Sequence, residues 1–154
     1  MVVGDREGWE LGVGLLIAAR ALFDELHRRL AEQGHPALRP AHGYAFQAMS
    51  PSGATASELA GRLHISKQAA GQMAAELERL GYVRRDSDSR DARRRPLVLT
   101  PRGEDALSRS QAIFADLKHE WAARAGASNV EKAAGTLDAL MELYGQEGRL
   151  RPVW

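Results

Sequence analysis

Residues 55–102 contain two short helix-forming segments and then an arginine-loaded hairpin that runs into a helix start. This order constrains the chain more than any other feature in it. Thr55-Ala56-Ser57-Glu58 is a capping box, a hydroxyl at the N-cap and a carboxylate three residues on, each able to satisfy a free backbone N–H. Leu59 and Leu63 then stack at i, i+4, and the segment ends at His64-Ile65. Ser66 is the next N-cap candidate. Ala70, Met73, Ala74, Leu77 and Leu80 recur at helical spacing until Gly81 supplies the stop. Two amphipathic helices joined within about three residues fit a helix-turn-helix.

The second helix turns Lys67, Gln68, Gly71, Gln72, Ala75 and Arg79 away from its apolar stripe. One positive charge, two amides and small residues suit a helix pressed into a nucleic-acid groove, where amides meet base edges and lysine meets phosphate. Gly71 costs about 1 kcal/mol against alanine in a helix interior, which close approach to another surface would explain. An ordinary solvated face fits the same residues.

The hairpin shifts that balance. Tyr82-Val83-Arg84-Arg85 and Pro96-Leu97-Val98-Leu99 read as short strands around a polar, turn-rich loop. Residues 84–95 hold six Arg and three Asp, a local net charge of +3 in a chain whose total is +1. Arginine pairs bidentately with phosphate and enters narrow minor grooves. Asp91 is placed to orient Arg93. The alternative is a charged loop that keeps a hairpin edge soluble.

Asp88-x-x-Asp91-x-Arg93 in the wing, followed by Leu97-x-Leu99-Thr100-Pro101-x-Gly103, resembles the MarR family of bacterial transcriptional regulators. Leu38-x-Pro40 upstream and Leu77-Glu78-x-Leu80-Gly81-Tyr82-Val83 resemble the same family, and the similarity spans roughly residues 8–146. Two features depart from the pattern: Pro96, which has no backbone N–H and predicts a late start for the second strand, and a loop unusually dense in Arg. The resemblance implies a homodimer on a pseudo-palindromic double-stranded DNA operator, with the helix of about Ser66–Leu80 in the major groove and Arg93 in the minor groove. It also implies a small aromatic or phenolic effector bound between the dimer helices and the lobe. The expected DNA-contacting set is Thr55, Ser57, Ser66, Lys67, Gln68, Gln72, Arg84, Arg90, Asp91, Arg93, Arg94 and Arg95.

The 154 residues suit one domain, mainly α with a small β-hairpin wing, in which a winged lobe over 38–100 is flanked by dimerisation helices over 8–33 and 101–146. Leu11, Leu15, Ala18, Leu22, Leu26 and Leu30 give the first helix its stripe, and Gly34-His35-Pro36 ends it. Thr100-Pro101 starts a long helix lined by Ala106, Ile113, Leu117 and Trp121, and Gly126 breaks it. Ser128-x-x-Glu131 reads as a capping box for a last helix striped by Ala134, Leu137, Met141 and Tyr144. A small lobe has no groove wide enough for three such stripes, so a second copy is expected to bury them. Folding back on the chain's own lobe is the alternative.

Cysteine is absent, which removes disulfides and thiolate chemistry. The five histidines make no i, i+4 pair, and there is no nucleophile elbow or phosphate loop. No catalytic residue, metal site or cofactor is therefore expected. No apolar run approaches a membrane span and the N-terminus lacks a signal pattern, so a cytoplasmic protein is expected. Trp9, Leu16 and Arg20 on the first helix and His42, Tyr44 and Phe46 on the second are the candidate lining of a ligand cleft, where Arg20 or His42 would meet the carboxylate of an aromatic anion. They serve equally as packing residues. The chain thus reads as a sequence-specific regulator, a repressor released by its ligand. The alternative is a winged-helix dimer that serves as a protein-interaction or small-molecule module without an operator. Six arginines in twelve residues favour the first.

Overall fold

The computed structural model describes residues 8–86 and 95–145. Within these described residues, six helices and one hairpin follow in the order α1 (Gly8–Glu32), α2 (Pro40–Met49), α3 (Ala56–Leu63), α4 (Lys67–Arg79), β1 (Val83–Arg85), β2 (Leu97–Leu99), α5 (Pro101–Ala125) and α6 (Ala127–Leu143). The helix starts follow their caps. Thr55 Oγ1 accepts from Glu58 N at 3.2 Å while Glu58 Oε2 accepts from Thr55 N at 2.8 Å. Ser66 Oγ accepts from Ala69 N at 3.0 Å, and Thr100 Oγ1 accepts from Gly103 N at 3.2 Å ahead of Pro101. Gly81 ends α4 with φ +78.

One core holds the lobe together. Leu26 and Leu30 of α1, Phe46 and Met49 of α2, Leu59 and Leu63 of α3, Leu77 of α4, Tyr82, Leu97 and the inner face of α5 pack into it. The hairpin is antiparallel, with Val83 opposite Leu99 and Arg85 opposite Leu97. Pro96 lacks a donor, so β2 begins at Leu97 as the sequence predicts, yet the Pro96 carbonyl still accepts from Asp86 N at 2.8 Å. Ala54 pairs with Leu97 on the other side, N–H to O at 3.0 and 2.8 Å. Gly53 (φ +75) enters that bridge so closely that a Cβ would stand 2.8 Å from the Leu97 carbonyl oxygen.

A polar network anchored on the buried His35 and Tyr82 joins the turn after α1 to the wing and α5. His35 Nδ1 lies 3.1 Å from the Tyr82 hydroxyl and its Nε2 lies 2.9 Å from Asp105 Oδ2. Asp105 also accepts from Arg109 Nε at 2.8 Å, and the Arg102 guanidinium lies 4.8 Å from the Tyr82 ring centre. The Arg109 and His35 hydrogen bonds hold the Asp105 carboxyl below its ordinary value. Burial pushes His42 on α2 below its ordinary 6.5, with Arg39 adding to the effect. Both shifts give the unfolded chain the greater proton affinity, so stability falls on acidification. His42 acts as pH drops below 6.5, and Asp105 as it drops through 3.8. Thermal melts from neutral pH downward should show a loss below 6.5 that His42→Gln reduces, then a second below about 4.5 that Asp105 shares with Glu25 and Glu120, whose carboxyls arginines also hold low. A flat profile to about pH 4 would contradict this assignment.

The ends of the molecule differ from its middle. α6 has no buried residue, and its Leu137, Met141, Leu143 and Tyr144 are exposed, as are Trp9, Leu11, Leu16 and Ile17 in the first half of α1. Ser128 does not cap α6. The helix begins two residues earlier, at Ala127, because Gly126 (φ +91) turns the chain in one residue and its carbonyl accepts from Asn129 N and Val130 N at 3.1 and 3.2 Å. Glu131, freed from capping, pairs with Lys118 across the α5–α6 corner at 2.9 Å.

Candidate nucleic-acid interface

The turn between α3 and α4 is short because His64 takes the left-handed conformation (φ +52), which lets Ile65 N reach the Ala60 carbonyl at 3.0 Å. α4 then buries Ala70, Ala74 and Leu77 and turns the opposite side to solvent. Lys67, Gln68, Gln72, Ala75 and Arg79 are exposed there. Lys67, Gln68 and Gln72 make no hydrogen bond or ion pair with any described residue, so their donors and acceptors point outward unpaired. Ser66 sits at the exposed head of the helix and Ser57 is exposed in the first turn of α3. Thr55 is half-buried with its hydroxyl engaged in the capping box.

Gly71 lies in the middle of this outer face, and a Cβ placed on it would meet nothing within 4 Å. Nothing inside the chain therefore calls for glycine here. Gly71→Ala should raise stability by about 1 kcal/mol. It should also weaken binding of the helix to any closely apposed surface. A variant that melts later but binds DNA as well as the wild type would leave the glycine without a groove-facing role.

The wing base flanks α4. Arg84, Arg85 and Arg95 are exposed on its strands or at their ends. Arg84 Nη1 lies 3.5 Å from Asp86 Oδ1, and Arg85 Nε lies 3.5 Å from Glu78 Oε2 on α4. Exposed pairs of this kind are worth little and yield readily to a phosphate. Arg85 lies outside the expected contact set, yet it is exposed beside Arg84 on β1. Arg90, Asp91, Arg93 and Arg94, including the expected Asp91–Arg93 pairing, lie outside the described residues. Thr100 fastens the hairpin to the end of α4, with Oγ1 donating to the Gly81 carbonyl at 2.6 Å and its N–H to the Tyr82 carbonyl at 3.0 Å.

A mainly apolar cavity of about 90 Å³ opens where α1, α2 and α5 meet. Phe23, Tyr44 and Phe114 form its aromatic wall, with ring centroids 6.3 and 6.4 Å from Phe23. The structure brings Tyr44 and Phe46 to this cavity but not the other expected lining residues. Trp9 and Leu16 are exposed in the first half of α1, and Arg20 is exposed beside Asp24 at 3.7 Å. His42 is buried on the other side of α2, toward α4. The lining the sequence did not reveal comes from the second half of α1 and from α5, namely Phe23, His27, Leu107 and Phe114. Among the described residues no group of three His, Asp or Glu could hold a metal ion, and no helix is long and apolar enough to cross a membrane.

Residues 38–94 match the model of the MarR family. Among solved structures, the chain is similar to the MarR family transcription regulator SP03579, at 19% identity and TM-score 0.72 over 89% of each chain. It is similar to the Mycobacterium tuberculosis MarR family protein Rv2887, at 26% identity and TM-score 0.62 over 91% of this chain and 98% of that one, and a complex of that protein with salicylic acid also matches. A mutant of Staphylococcus aureus MepR bound to an oligodeoxyribonucleotide matches at 15% identity and TM-score 0.59, over 87% of this chain and 97% of that one. No curated protein matches the sequence significantly.

Proposed function

We propose that this chain, MarR-type in its fold and in its winged lobe, is a homodimeric transcription regulator that reads a pseudo-palindromic double-stranded operator and represses until a small aromatic ligand releases it. The observation that supports DNA reading most directly is the outer face of α4. Lys67, Gln68 and Gln72 stand exposed with no partner among the described residues, beside Arg84, Arg85 and Arg95 at the wing base. Amides in the first turns of a groove helix reach base edges, and the flanking cations neutralise phosphate. The oligonucleotide complex of the MepR mutant supports the same use of the fold.

Two further observations support the rest. Large apolar side chains stand exposed on α6 (Leu137, Met141, Leu143) and on the first half of α1 (Trp9, Leu11, Leu16, Ile17), and a second copy would cover them. The aromatic cavity between α1, α2 and α5 suits a small arene, as does the salicylic acid complex of the mycobacterial relative.

Operator titration at two salt concentrations tests this reading. Neutralising six or more phosphates should lower affinity by about 10³-fold or more between 50 and 200 mM salt. Binding that is absent, or indifferent to salt, would contradict it and favour a module that docks proteins.

A further inference from the structure

Arg39 borders two spaces at once. It lines the aromatic cavity on one side of α2 and, on the other, a cleft against α4 formed with His42, Gln72, Met73 and Glu76. Its Nη2 donates to Glu76 Oε2 on the reading helix. The same carboxylate oxygen lies 3.5 Å from Nε2 of His42, beyond a normal hydrogen bond. His42 Nδ1 accepts from Arg39 N at 3.2 Å, so in the neutral ring the proton sits on Nε2, the nitrogen that faces the Glu76 carboxylate at 3.5 Å. That Nε2 is buried and has no hydrogen-bond partner among the described residues. Glu76 therefore has one donor engaged and a second waiting beside it.

Among the described residues the cavity lining contains no carboxylate. Its basic side chains are Arg39 and His27, and His27 Nδ1 is already held by the Phe23 carbonyl at 2.6 Å. An anion entering the cavity finds its strongest partner in Arg39.

We propose that Arg39 couples the cavity to the reading helix: an aromatic anion draws its guanidinium off Glu76, and Glu76 turns to the His42 Nε2–H. The two arrangements of Glu76 supply the alternative states that ligand and operator bias in opposite directions. Losing the long Arg39 tether for the short His42 contact re-seats the third turn of α4 against α2, and with it Gln68 and Gln72. This inference rests on the ligand-responsive reading above.

The test uses the full chain, an operator selected from random duplex DNA, and benzoate with benzamide as a matched charged and neutral pair. Benzoate should weaken operator binding by the wild type about tenfold, and benzamide should not. Glu76→Gln, and Arg39→Gln as a second variant, should show about that loss without ligand and no further response to benzoate. The exchange Arg39→Glu with Glu76→Arg should restore operator affinity and leave benzoate without effect. The coupling is overturned if Glu76→Gln keeps wild-type affinity, or if benzoate and benzamide act alike on the wild type, including by doing nothing. A wild-type protein that binds no duplex at low salt would instead overturn the DNA-binding reading itself.

Discussion

Gly103→Ala is expected to destabilise the protein by about 3 kcal/mol or more, among the larger losses that overpacking produces. Gly103 sits in the first turn of α5, where a Cβ would stand 2.2 Å from the Tyr82 carbonyl oxygen and 3.2 Å from Leu99 Cδ2. The obstruction is backbone, so no side chain can swing aside. The Tyr82 carbonyl cannot retreat easily either, since it accepts from Thr100 N at 3.0 Å and so ties the hairpin to α5. Relief would require parting the wing base from the helix that supports it. For a chain of this size the loss should lower the melting temperature by about 10 °C. A variant melting with the wild type would show that this contact is slack.

Leu137→Arg combined with Met141→Arg is expected to reduce operator affinity by on the order of 100-fold while leaving the lobe folded. In the single chain these side chains are 46% and 43% exposed, so the lobe loses little when they change. Between two copies they would be buried, and four guanidiniums at one seam would part the pair. Each lobe would then bind a half-site alone, without the effective concentration that its twin supplies. The added charge is positive, so repulsion from phosphate cannot account for a loss. Sedimentation should show a monomer and circular dichroism an intact helical lobe. A variant that remains dimeric with unchanged operator affinity would place the interface elsewhere.

Features set by neighbours in the chain were legible in the sequence. The Thr55–Glu58 box, the Ser66 cap, the Thr100-Pro101 start and the Gly81 stop each need only a few adjacent residues, and the structure has them all. The Ser128 box failed because a single glycine at positive φ can replace a three-residue loop, and composition does not distinguish the two. The cavity was half-legible. Helical spacing tells which face of α1 is apolar but not which turns of that face meet α5, so the expected lining falls on Trp9, Leu16 and Arg20 while Phe23 and His27 border the cavity. His42 meets α4 and not the cavity, since the α2 sequence alone does not tell which neighbour each of its faces packs against. The His35–Tyr82–Asp105 network and the Arg39–Glu76 pair join residues tens of positions apart, and no local pattern marks them.

Selection of bound fragments from random duplex DNA tests the central claim most directly. Two copies presenting two α4 helices should enrich a twofold-symmetric site whose half-sites lie one helical turn apart, about 34–36 Å centre to centre. Enrichment of an asymmetric single site, or of nothing above background, would contradict the account.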